Sequence, residues 1–137
     1  MPIFLTFLRR TDSDAEAQGA GVIFELVHIA PENPEVVATV REFLSRPTLD
    51  ANGRIGVLNA LGTSRVTDAH IISTMITSLD DSDEWVRFTA AQALGMMGQS
   101  ALQAEPALQR LANDPKQPAN VRDAAKQALL RLHPQRP

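Results

Sequence analysis

Cysteine is absent from all 137 residues. Disulfides, thiolate chemistry and cysteine-based zinc sites are thereby excluded. Tyrosine is missing as well, and phenylalanine and tryptophan together make up only 4% of the chain. A compact core usually draws on more large rings, whereas helices packed through alanine and leucine need few. No apolar run approaches the length of a transmembrane helix. Met1 to Arg10 does not read as a secretory signal either, because its apolar run is short and its arginines follow it. The expectation is a soluble, cytoplasmic chain with no membrane partner. Strong positive charge is also lacking: the net charge is −3, where a nucleic-acid binder of this size would show a basic stripe.

What is present is 44% hydrophobic and 21% charged residues, enough for one domain with a modest core. Helix signals follow one another along the chain. Ile3, Phe4, Phe7 and Leu8 form an apolar stripe on a short helix over residues 2–10. Thr11 to Asp14 then starts a longer helix reaching Ala30, in which Gly19 and Gly21 mark a close contact or a kink. Asn33 and Pro34 open a helix that runs to Arg46. Further helices are expected from Asp50 to Gly62, from Thr67 or Asp68 to Leu79, and from Asp83 to Gly98. Pro106 makes the next one, Ser100 to Ala112, begin late or bend. The last covers residues 119–132.

These helices repeat. Arg54, Arg87 and Arg122 are separated by 33 and 35 residues. Three residues after each arginine stand Val57, Ala90 and Ala125, and six after stand Ala60, Ala93 and Ala128. Leu61, Leu94 and Leu129 follow directly, while Asp50 and Asp83 each lie four before their arginine. A shift of 35 residues places Gly21-Val22-Ile23 on Gly56-Val57-Leu58, and Val36 to Val40 on Ile71 to Met75. So many matches in one register define a repeated structural unit that cannot bury its apolar face alone.

The stretch Asp83 to Gly95 has the pattern Asp-x-x-Val-Arg-x-x-Ala-Ala-x-Ala-Leu-Gly. It resembles the HEAT repeat, in the variety found in phycobilin-lyase-like proteins. Pro118 to Leu132 follows the pattern well and Asp50 to Gly62 more loosely, while Gly19 replaces the arginine in the first copy. The resemblance implies an all-α fold, a right-handed α-solenoid of about three and a half helix pairs. One domain would span residues 1–137, with units at 13–46, 50–79, 83–112 and 118–132 behind the leading helix. In such a stack Asp50, Arg54, Asp83, Arg87 and Arg122 would tie neighbouring repeats together through charge-assisted hydrogen bonds.

Chemistry is hard to place. His28, His70 and His133 lie far apart, with no ligand spacing for a metal and no His-Glu pair of the kind that holds iron in deoxyhypusine hydroxylase. The acidic run Asp80 to Glu84 is explained by the positive end of a helix dipole. No catalytic residue, metal or cofactor is expected, and the chain reads as a non-catalytic interaction or scaffold module for another protein. The resemblance implies that the second helix of each unit lines a concave side. Glu35, Thr39 and Glu42 would face out there, joined by His70, Thr74 and Thr77, then Gln103 and Arg110. Trp85 stands where the other copies have Asn52 and Asn120. Its ring either covers the adjacent turn or anchors a partner, a role in which tryptophan is over-represented. A lyase-like or chaperone-like subunit for a tetrapyrrole is the alternative that the resemblance carries. Nucleic-acid binding like that of HEAT-like alkylpurine glycosylases is disfavoured, since the expected concave face is neither basic nor aromatic.

Overall fold

The computed structural model describes residues 13–47, 49–64 and 66–133. The helix expected over 2–10 lies outside them. The order is α1 (Ser13–Ile29), α2 (Pro34–Leu44), α3 (Ala51–Thr63), α4 (Ala69–Thr77), α5 (Glu84–Met97), α6 (Glu105–Asn113) and α7 (Ala119–Leu132). One 3₁₀ turn, Ser78–Asp80, follows α4, and a longer 3₁₀ segment, Gly98–Ala104, precedes α6. The described residues contain no strand.

Side-chain caps start four of these helices. Asn33 accepts from the backbone N–H groups of Glu35 and Val36, and Asp50 from that of Gly53. Asp68 accepts from His70 and Ile71, and Asp83 from Trp85 and Val86. Each such cap satisfies donors that the first helical turn otherwise leaves orphaned. The region expected as one helix from Ser100 is instead 3₁₀ up to Ala104, and α6 begins at Glu105. Pro106 is the reason: it lacks an N–H and is tolerated only in a first turn. Gly98, at φ 59°, closes α5 in a conformation that side chains resist.

The helices form two layers. In the first, α3 packs between α1 and α5, and α5 between α3 and α7. In the second, α2 meets α4, while the Gly98–Ala104 segment and α6 complete the row. Val57, Leu58, Leu61, Ile71, Met75, Leu94 and Leu108 fill the space between layers and are fully buried. Burying each such side chain is worth about 1.5–3 kcal/mol relative to leaving it in water. Within the first layer the helices come unusually close. A Cβ on Gly62 would sit 2.9 Å from Ala93 Cα, and one on Gly95 would sit 2.9 Å from Ala128 Cα. Glycine and alanine thus occupy the same two positions of the repeat at both seams. Gly19 marks a close contact rather than a kink, because the Phe43 ring fills the space its Cβ would need.

Arg54 and Arg87 link units, whereas Arg122 makes no such contact among the described residues and the aspartates act differently from expectation. Arg54 Nε lies 3.0 Å from Asp81 Oδ2 in the loop leading into the next unit. The Nε–H is not aimed at that oxygen, so the contact is ionic rather than a well-directed hydrogen bond. Arg54 Nη1 also donates to the Leu49 carbonyl before its own helix. Arg87 repeats the arrangement: Nε donates to Gln117 Oε1 at 3.0 Å, and Nη1 to the carbonyls of Asp81 and Ser82. Arg122 Nε is buried without a partner. Asp50 and Asp83 do not tie repeats. They spend their carboxylates capping α3 and α5, and Asp81 makes the link instead.

Candidate interaction surfaces

The expected concave row lies on the second layer. Glu35, Glu42, His70, Thr77, Gln103 and Arg110 are exposed, and Thr74 is half-buried. Thr39 is not available: it is 3% exposed, and its hydroxyl donates to the Glu35 carbonyl at 2.7 Å. Val36, Thr39, Val40 and Phe43 form the buried face of α2, so the face is rotated from the one expected. That back-bond to a carbonyl four residues earlier lets a threonine be buried with its polar atom satisfied.

Thr74 and Thr77 come together with Ser45, Ser73 and Ser78 around a cleft of about 400 Å³. The Arg54–Asp81 pair lies at its base. Thr74, Thr77 and Ser78 each donate to a backbone carbonyl, which leaves their oxygens as acceptors. Gln103 donates to the Ala69 carbonyl at 3.3 Å and so joins the third unit to the start of α4. Glu42 is paired with Arg46 at 3.9 Å. Glu35 and Arg110 stand apart from the cleft.

Trp85 belongs to the other layer. Its side chain, 53% exposed, meets Phe88 edge to face with ring centroids 5.7 Å apart. Phe88 in turn lines a groove of about 270 Å³ between α5 and α7. Gly95, Ala124 and Ala128 share its apolar floor, while Gln92, Asn120 and Gln127 supply side-chain amides. Asp123 and Arg131 bring the two charges. The groove owes its shape to the close seam: Gly95 lets α7 approach, and the longer side chains on either side stand up as walls. Reading the sequence missed it. Its residues sit on helices over 30 positions apart, and Asp123, Gln127 and Arg131 look like an ordinary polar helix face.

No group of three or more His, Asp or Glu side chains that could hold a metal occurs among the described residues. The acidic run dissolves into structural roles, since Asp81 pairs with Arg54 and Asp83 caps α5. His28 Nδ1 lies 2.6 Å from the Phe24 carbonyl and Nε2 3.2 Å from Thr63 Oγ1. His133 Nε2 contacts Glu105 Oε2 at 2.8 Å. No helix among the described residues is long and apolar enough to cross a membrane.

Paired helices stacked through a recurring glycine–alanine contact, with arginines reaching from unit to unit, define an α-solenoid. Residues 47–130 match the family described as HEAT repeats, and the chain belongs to that family. No curated protein matches it. HEAT repeats generally serve as protein-interaction or scaffold modules and are generally non-catalytic.

Proposed function

We propose that this chain is itself a non-catalytic interaction module, presenting rigid helical surfaces to another protein. The observation that carries this reading is Trp85. A ring that size held 53% exposed, with Phe88 beneath its edge, gains little for the fold. Exposed aromatics braced from behind are the usual anchors of protein contacts. The hydroxyl-lined cleft at Thr74 and Thr77 is a second surface, and it lies on the opposite layer.

Separate variants test the two surfaces. Affinity capture from the source cell is compared for the parent chain, Trp85→Ala and the cleft variant Thr77→Ala, with thermal unfolding recorded for each. Trp85→Ala should lose a captured protein at least tenfold while its melting temperature stays within about 2 °C, a shift expected of a surface change under ~0.5 kcal/mol. A large drop in melting temperature would mean that the ring serves packing, and the reading would fail.

A further inference from the structure

We propose that the α5–α7 groove beside Trp85 binds an extended peptide segment bearing a basic and an acidic residue four positions apart. This rests on the interaction-module reading and names the class of partner for that surface.

The lining of the groove selects an extended chain. Asp123 and Arg131 are eight residues apart on α7, or about 12 Å along its axis. An extended chain leaves its backbone N–H and C=O groups free to pair with the amides of Gln92 and Gln127, whereas a helix satisfies those groups internally. In an extended chain four residues span about 13 Å, and residues two apart face the same way. A basic residue opposite Asp123 and an acidic one opposite Arg131 therefore occupy positions i and i+4. Position i+2 points at Ala124 and Ala128, where a small or branched apolar side chain fills the floor, while Phe88 lies towards the Asp123 end.

The polar groups support this occupant. Among the described residues, the side chains of Gln92, Asn120, Gln127, Asp123 and Arg131 make no hydrogen bond or ion pair. Each amide offers both a donor and an acceptor, the complement of a peptide group in an extended backbone. Free amides alongside two opposite charges recognise main chain along the groove and charge at Asp123 and Arg131. Trp85, on the first turn of α5, covers whatever leaves the groove past Phe88.

The probe is a capped peptide with core Lys-Thr-Val-Thr-Glu, whose β-branched residues favour the extended form. Binding to the full chain is measured by calorimetry. Saturable one-to-one binding is expected, and Lys-Thr-Val-Glu, which places the charges on opposite faces, should bind at least fivefold more weakly. Arg131→Glu should weaken the parent peptide about tenfold, and Lys-Thr-Val-Thr-Lys should regain that loss on the variant. Equal binding of the two spacings, no effect of Arg131→Glu, or preference for a helical peptide with charges eight apart would overturn the inference. So would a failure of the probe to bind. If the probe fails while Trp85→Ala still loses its captured protein, the interaction module stands and only the extended-peptide assignment falls.

Discussion

At the seam between α3 and α5, Gly62 faces Ala93; at the seam between α5 and α7, Gly95 faces Ala128. In both a Cβ on the glycine would approach the opposing Cα to 2.9 Å. Outside the seams the likeness ends. The outward positions of α3 are Asn52, Asn59 and Thr63, all uncharged. The matching positions of α7 are Asn120, Gln127 and Arg131, with Asp123 beside them, and α5 contributes Trp85 and Phe88. Positions that press helix against helix are held to one or two residue types by sterics. Positions one or two residues away are free to differ from unit to unit, and they give each unit its own surface.

The largest expected effects break the likeness of the seams. Gly62→Val and Gly95→Val each force side-chain atoms against a backbone that cannot give, and each should cost about 2 kcal/mol in urea unfolding. Similar losses at the two sites keep the seams equivalent, while a loss at one alone would separate them. The arginines come next. Arg54→Gln and Arg87→Gln remove contacts to the following unit and should cost about 1–1.5 kcal/mol each. Arg122→Gln should cost less, because its Nε has no partner to lose. Equal losses at all three would show that the inter-unit contacts contribute nothing. The smallest effect sharpens the steric argument. Nothing lies within 4 Å of a Cβ on Gly21, so Gly21→Ala should stabilise α1 by about 0.5–1 kcal/mol, read as a raised urea midpoint.

The architecture was legible because seam contacts recur. Ala93 and Ala128 stand in register in the sequence for the same reason that they press on Gly62 and Gly95 in space. The register of a single helix face was less secure. Thr39 reads as polar and hence outward, but its hydroxyl finds the Glu35 carbonyl and the residue takes a core position between Val36 and Phe43. Asp81 was overlooked as the partner of Arg54 because Asp50 and Asp83 keep constant spacing from the arginines. Spacing within a helix start reports capping, whereas the link between units crosses 27 residues. Trp85 was visible as a departure from the repeat. The groove it borders was not, since a groove has no period.

Trp85 is the chain's only tryptophan, so the chain's emission reports this surface once the emission of any bound partner is subtracted. The most direct measurement is acrylamide quenching of that emission in the free folded protein and again with the captured partner bound. Quenching close to that of the unfolded chain when free, and strongly reduced when bound, is the predicted result. Identical quenching in the two states would contradict the assignment of this surface to recognition.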